Sequence, residues 1–413
     1  MDKSIPQIRF PGFTEPWEQR EFSSVVKKFD YGLNAPSKKF DGINQYLRIT
    51  DIDDQTRKYQ KTDLVSPDTN LDIADDYKLF EGDILFARTG ASVGKSFIYN
   101  ENDGLTYFAG YLIRAKIIDD FVPEFFFEQT LSDRYKKFVS TTSQRSGQPG
   151  INAKEYGSFP VWITSVEEQK VISTFFEKID SLITLHQRKL NLLRHQKKGL
   201  LQKLFPQAGE NEPELRFAGF TEPWEQRKLG DIGSTYSGLS GKTAKDFGHG
   251  NANFVTYLNV FKNPIADLEG TENIEIDNKQ TQVLKGDVFF TTSSETPEEV
   301  GMSSIWMGNQ PNTYLNSFCF GYRPTVDIDR NFLAYVLRSP AVRSKIIVLA
   351  QGISRYNISK KKMMEIKIPV PSIPEQKAVG NFFIKLDEMI TLHQLKVESL
   401  SHLKKSLLDR MIV

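Results

Sequence analysis

The residues RFPGFTEPWEQREF (9–22) return as RFAGFTEPWEQRKL (216–229), and EEQKVISTFFEKIDSLITLHQ (167–187) returns as PEQKAVGNFFIKLDEMITLHQ (374–394), both at an offset of 207 residues. Self-similarity at a fixed period marks a repeated architecture, and here the period is half of a 413-residue chain. Between the shared blocks the halves diverge. KFDGINQYLRITDID and GNANFVTYLNVFKN keep only a Tyr-Leu-polar-β-branched skeleton, while EGDILFARTG and KGDVFFTTSS keep a Gly-Asp turn and the strand after it. One frame holding two different inserts implies two equivalent docking tasks for the frame and two different recognition tasks for the inserts.

The frame is helical. Ile172, Phe176, Ile179, Ile183, His186, Leu190, Leu193, Lys197, Leu200 and Leu204 step by alternating four and three, a heptad seam over more than four heptads. Val379, Phe383, Leu386, Ile390, His393, Val397, Leu400, Lys404, Leu407 and Met411 repeat it in the same register. Ser165 and Ser372 are available as N-caps, with acids in the first turn. Roughly 40 residues at 1.5 Å rise make a rod of about 60 Å. A narrow apolar seam must be covered, and the nearest cover is the other copy, so the two helices are expected to pair as an antiparallel coiled coil. His186 and His393 are expected as partly buried seam residues without a catalytic role. Lys197 and Lys404 are expected to snorkel and help fix register.

The inserts read as short β-rich runs (DILFA, SFIY, DVFFTT, SFCFGYR) separated by Gly, Asn, Asp and Pro, each followed by a terminal helical stretch. At about 140 residues each is large enough for its own core. The expected fold class is α+β: two pseudo-symmetric mixed α/β lobes joined by two long helices forming an antiparallel coiled coil. The divisions expected are an N-terminal frame segment 1–20, a first insert domain 21–164, a helix 165–206, a linker with the repeated frame 207–226, a second insert domain 227–371 and a second helix 372–413.

Several function classes find no support. No apolar run reaches the roughly 18 residues needed to span a bilayer, and MDKSIPQIRF lacks the apolar region of a signal peptide, so the default compartment is the cytoplasm. Cys319 is the sole cysteine, and the five histidines show no HExxH spacing, which argues against a thiolate cluster or a catalytic zinc. No G-x-S-x-G elbow, no Asn-Pro-Pro-aromatic motif and no GxGxxG after a strand is present. GASVGKS (90–96) approaches a P-loop, but the required first glycine falls on Thr89, and a helix should come next where FIYNENDG reads as strand and turn. At the 207 offset Val93-Gly94-Lys95-Ser96 becomes Val300-Gly301-Met302-Ser303, which loses the phosphate-gripping lysine and keeps a glycine suited to a turn.

A nucleic-acid reading fits better. The net charge of +1 is uninformative, yet residues 134–154 carry five Lys/Arg and no acid, and 338–362 carry seven and no acid. The stretches TTSQRSGQPGINAKE and AQGISRYNISKKK, with the polar loops after FARTG and FTTSS, hold side chains of the types that meet phosphates and read base edges.

The RF-x-GF segment with its Trp, the Tyr-Leu-Arg and Tyr-Leu-Asn skeletons, Gly-Asp-Ile-Leu-Phe, GQPGIN, and EQK before the FF-x-K-φ-D helix resemble the specificity subunits of type I restriction-modification systems over essentially the whole chain. The resemblance implies a non-catalytic subunit with two target-recognition domains. Each would read one half of a bipartite sequence in double-stranded DNA, with the paired helices as spacer. It implies two copies of a methyltransferase subunit and a restriction/translocase subunit as partners. No cofactor is implied in this chain, S-adenosylmethionine, ATP and magnesium belonging to the partners. Carried over to this sequence, the DNA-binding candidates are Arg48, Arg88, Thr89, Lys95, Gln144, Arg145 and Gln148 in the first half, and Asn259, Thr291, Thr292, Ser294, Gln351 and Arg355 in the second. The second half has GISRYNIS in place of GQPGIN. Near-neutral charge implies weak DNA binding by the isolated chain, and a 60 Å rod caps the half-site separation at roughly 18 base pairs. Rival readings are a two-lobed protein-interaction scaffold and a P-loop-like ATPase.

Overall fold

The computed structural model describes residues 5–353 and 355–412, so Ser354 in the second basic stretch lies outside the described residues. The chain divides into two compact units. One holds everything up to His186 together with the stretch from Leu395 onward; the other is Gln187–Gln394. The division falls inside both long helices, Val166–Lys203 and Ile373–Met411. Each unit therefore contains the first part of one helix and the last part of the other.

In the first unit a four-stranded antiparallel sheet runs in the order Val26–Tyr31, Leu112–Ile117, Ile84–Ala87, Ser96–Ile98. Of its two inner strands, Ile84–Ala87, here called the central strand, reads ILFA with every residue buried, because alternate side chains enter two different cores. Ile84 and Phe86 join Phe22, Ile113, Phe125 and Phe126 beside the long helices, whereas Leu85 and Ala87 join Leu47, Phe97 and Leu112 on the opposite face. The second unit repeats the order with Gly233–Ser237, Cys319–Pro324, Val288–Thr291 and Ser303–Ile305. Val288 and Phe290 face one core and Phe289 the other. Smaller strand pairs complete the first unit, and strand pairs with a three-stranded sheet complete the second.

The repeated frame motifs are explained by one clamp in each unit. The Glu of EQK is fully buried and takes a bidentate guanidinium from the Arg of RF-x-GF: Arg9 Nε and Nη2 donate to Glu168 at 2.7 and 2.8 Å, and Arg216 Nε and Nη2 donate to Glu375 at 2.7 and 2.9 Å. The following Gln ties the insert to the helix start. Gln169 Oε1 accepts from Val122 N–H (3.0 Å) and Gln376 Oε1 from Asp329 N–H (2.8 Å). The strand after the Trp, Glu18–Glu21 or Glu225–Lys228, pairs antiparallel with Pro160–Ile163 or Lys367–Val370.

The antiparallel pairing of the long helices is borne out inside each unit. In the first, Phe176, Ile179 and the half-buried Ile183 pack with Leu407, Leu408 and Met411; in the second, Leu193 and Leu200 pack with Phe383, Leu386 and the half-buried Ile390. Leu190 is buried, and His186, His393 and Val397 are half-buried. The seam lysines correct the sequence expectation, because each ammonium ends on acids of the fold and not in bulk water. Lys404 is 11% exposed and pairs with Asp180 at 2.8 Å and Glu128 at 3.1 Å. Lys197 pairs with Asp387 at 2.5 Å, which also accepts the Tyr335 hydroxyl at 2.8 Å. Asp180 and Asp387 are the Asp of FF-x-K-φ-D, so this motif carries one half of a lock across the helix pair.

A further hydrogen bond closes each unit. Leu215 N–H donates to Lys203 C=O (2.8 Å) across the linker, and Ile8 N–H donates to Arg410 C=O (3.1 Å) at the offset of 207, where no peptide chain joins the two. Phe205, stacked on Phe383, and Ile412 occupy matching buried positions beyond the two helix ends.

Candidate nucleic-acid interface

Two polar loops meet in each unit at the end of the central strand. In the first, the chain leaves Ile84–Ala87 through Arg88, makes a 3-10 turn at Gly90–Ser92 and re-enters the sheet at Ser96–Ile98. The GQPGIN loop lies along it: Gly90 N–H donates to Pro149 C=O (3.0 Å), Ile151 N–H to Arg88 C=O (2.9 Å), and Thr89 bridges Gly150. In the second, Ser293–Ser294 pairs with Tyr356–Asn357, and Ile358 N–H donates to Thr292 C=O (3.0 Å). The loop that lacks GQPGIN thus takes the same place, with Gln351 and Asn357 exchanging backbone hydrogen bonds at 2.9 and 2.8 Å. Both loops lead into a short helix, Ala153–Gly157 capped by Asn152 and Lys360–Met364 preceded by Ser359.

The sequence candidates separate by burial. Gln144, Arg145, Gln148, Gln351 and Arg355 are exposed on these loops, with Arg145 held at 2.5 Å by Glu155. Arg88 is half-buried with its guanidinium 5.2 Å from the centre of the Tyr31 ring. Thr89 and Thr292 are half-buried, and the Thr292 hydroxyl donates to Phe318 C=O (2.7 Å). Arg48 opens a 3-10 turn and is engaged with Asp51 at 2.8 Å.

Four candidates are structural. Lys95 is 7% exposed and donates to Ile52 C=O (3.0 Å) while pairing with Asp54 (2.6 Å). Asn259 is buried, donating to Asp267 and Gly270 carbonyls at 2.7 and 2.8 Å. Thr291 is fully buried and its hydroxyl accepts from Met302 N–H (3.0 Å). Ser294 is buried with its hydroxyl on Thr296 C=O. Their polar atoms are buried against partners inside the fold and are not presented at its surface. The P-loop resemblance fails on the same geometry. Gly94 and Gly301 have φ of +83° and +63°, and a Cβ there would meet Val139 or Ile346 within 2.7 Å. After Lys95 the chain enters a strand instead of the helix that a P-loop opens.

The basic runs are also partly internal. Arg338 ends the helix Tyr257–Lys262 by donating to the carbonyls of Val260, Phe261, Lys262 and Asn263, and burial pulls its guanidinium down to about 10. Arg343 donates to the carbonyls of Glu298, Val300 and Gly301. Arg134 lies over the Phe159 and Trp162 rings. Lys137, Lys154, Lys361 and Lys362 remain exposed. Sequence reasoning missed the Arg9–Glu168 and Arg216–Glu375 clamps, although an Arg and a Glu recur at the same separation of 159 residues in both copies.

Two units on one frame, each ending its central strand in two polar loops with different side chains, define a double recognition protein. The family described as type I restriction modification DNA specificity domain matches residues 14–195 and again 221–402, and the chain belongs to that family. It is 24% identical over 415 residues to the putative type I restriction enzyme MjaX specificity subunit of Methanocaldococcus jannaschii, covering 96% of this chain and 93% of the relative. The MjaVIII specificity subunit of the same organism is 22% identical over 80% of this chain and 78% of its own length. Among solved structures, the type I restriction-modification S subunit from M. genitalium superposes with a TM-score of 0.64 at 15% identity, over 99% of both chains. A chain from a study of complex assembly and conformational transition of the type I system gives 0.53 at 16% identity, over 98% of both. The chain is a type I restriction-modification specificity subunit, a DNA-recognition protein with two recognition domains.

Proposed function

We propose that each unit reads one half of a bipartite DNA target and that this chain supplies the address while partner subunits supply the chemistry. The observation that carries the reading is the loop pair at the end of the central strand. It is built twice on the same backbone hydrogen bonds, with Arg88, Gln148 and Arg145 on one copy and Arg355 and Gln351 on the other. Arg pairs with guanine and Gln with adenine in the major groove, so different side chains on one scaffold mean different half-sites. The exposed lysines 137, 154, 361 and 362 sit beside these loops in sequence and suit phosphates. Two methyltransferase subunits, holding S-adenosylmethionine, would use the two copies of the frame, and a restriction/translocase subunit would use ATP and magnesium. The catalytic steps lie on those partners.

The test is an insert exchange. Replacing residues 21–160 with the corresponding insert of another specificity subunit should change one half of the methylated sequence, mapped genome-wide, and leave the other half alone. A chimaera that folds and methylates the original site sinks the reading, as does a wild-type complex that shows no sequence preference in competition binding.

A further inference from the structure

Outside the candidate polar side chains, each unit exposes one large aromatic ring at the same place. Tyr111 is 62% exposed and Phe318 is 56% exposed, and the two are separated by the 207-residue repeat. A single exposed ring on a protein surface needs no explanation. These two lie in inserts whose sequences diverge, and the same backbone contact holds both. Tyr111 C=O accepts from Arg88 N–H (3.0 Å), and Phe318 C=O accepts from Thr292 N–H (2.9 Å) and the Thr292 hydroxyl (2.7 Å).

Each ring also stands one residue before the strand that pairs with the central strand, Leu112 opposite Ala87 and Cys319 opposite Thr291. The turns that carry them are tied down. Leu112 N–H donates to Ala109 C=O (2.9 Å), and the buried Asn316 accepts from Phe318 N–H (2.9 Å) while donating to Val255 C=O (3.0 Å). Phe318 further shares an open cavity with Arg355 and Tyr257, the latter stacked on Phe261. The Phe318 ring, on a hydrogen-bonded turn beside Arg355, matches a surface that is apolar and flanked by anions, which is what a DNA base between phosphates presents, and Tyr111 holds the repeated position.

We infer that Tyr111 and Phe318 are specificity-determining contacts to the apolar surface of a base, one in each half-site. The inference rests on the DNA reading proposed above and extends it to residues that carry no charge. The apolar surface is either a thymine C5-methyl in the major groove or the face of a base at an opened step.

The experiment uses the full chain in complex with its methyltransferase subunit and duplexes carrying the mapped target. Phe318→Ala and Tyr111→Ala should each weaken binding by roughly 5- to 150-fold, the range of one base–aromatic contact. The loss should confine itself to one half-site, the two variants affecting opposite halves. The slope of log affinity against log salt should stay at the wild-type value, since no phosphate contact is removed. Thymine-to-deoxyuridine scanning then identifies a methyl contact if one substitution costs wild type but not the Ala variant, and a 2-aminopurine signal lost in the Ala variant identifies stacking. Because both rings are more than half exposed, the melting temperature should not move, and Phe318→Leu serves as a second variant with intermediate loss. Wild-type selectivity with unchanged affinity and half-site preference in both Ala variants overturns this inference alone. Absent wild-type selectivity would instead remove the reading beneath it.

Discussion

Replacing Lys404 with alanine tests the lock between the helices most directly, and Lys197→Ala at the repeated position is its internal control. Lys404 is 11% exposed and holds Asp180 and Glu128, which are 31% and 6% exposed, with its ammonium also 5.9 Å from the Phe176 ring centre. Its removal leaves the buried Glu128 carboxyl to take up a proton or stay without a counter-charge and strips Asp180 of its partner, a loss of about 3–5 kcal/mol for breaking a buried pair from one side at a pH where Glu128 is ionised. Lys197 and Asp387 are 21% and 27% exposed, and Asp387 keeps the Tyr335 hydroxyl after the lysine is gone. That site can rehydrate, and its loss should be about 1–1.5 kcal/mol, as for an ion pair partly open to water with one hydrogen bond retained. The assay is native-state hydrogen exchange on the intact chain, following amides around 176–186 in the Lys404 variant and around 383–393 in the Lys197 variant. Protection should fall by at least about 1.5 kcal/mol more in the first region than in the second. Equal losses, or a larger loss for Lys197, would falsify the assignment of Lys404 as the more deeply buried lock.

Other outcomes rest on neighbouring contacts. Burial pushes the Glu128 carboxyl up to about 7 from an ordinary 4.5, so between those pH values the unfolded chain gives up a proton that the folded chain keeps. Stability from this group is lost as pH rises through that window, and Glu128→Gln should gain on wild type from pH 5 to pH 8 in urea melts; a pH-independent difference counts against it. Arg216→Ala should destabilise by about 3 kcal/mol or more, since the Glu375 carboxylate has no other hydrogen-bond donor among the described residues, whereas Arg9→Ala should cost less, because the Trp17 indole (3.1 Å) and Thr164 hydroxyl still donate to Glu168. Denaturant midpoints in the reverse order would refute this. Lys95→Met, the residue type found at the repeated position, should cost about 1–2 kcal/mol through the orphaned Ile52 carbonyl and leave the salt dependence of DNA binding unchanged; a slope reduced by about 1 would put Lys95 on a phosphate. New termini opened between residues 206 and 214, with the old ends joined by a linker of native length, should preserve folding and selectivity, because Ile8 and Arg410 already make the contact that Leu215 and Lys203 make. A permutant that fails to fold would show that the chain connection at the linker is required.

Much of the architecture is legible because it is local or repeated. The 207-residue offset gives two equivalent units, and the alternating four-three seam gives the helices and their partner, since period and self-similarity need no knowledge of what lies across the core. The glycine of the near P-loop is legible too, because its copy survives while the lysine does not. The resemblance of the repeated frame motifs to a known family is likewise carried by the sequence alone.

Only the tertiary structure decided which polar residues are available. Asn259, Thr291, Ser294 and Lys95 look like loop side chains in the sequence but satisfy backbone groups within their own unit. Arg338 and Arg343, which make a run of residues look like a cationic surface, satisfy carbonyls at element ends. The seam lysines look bound for water in the sequence because their acids lie far away in the chain, Glu128 and Asp180 being 276 and 224 residues from Lys404. Composition records how many polar groups the chain has. Whether each faces water or another part of the chain depends on what the fold brings against it, because a buried polar group must find a partner wherever in the sequence that partner lies.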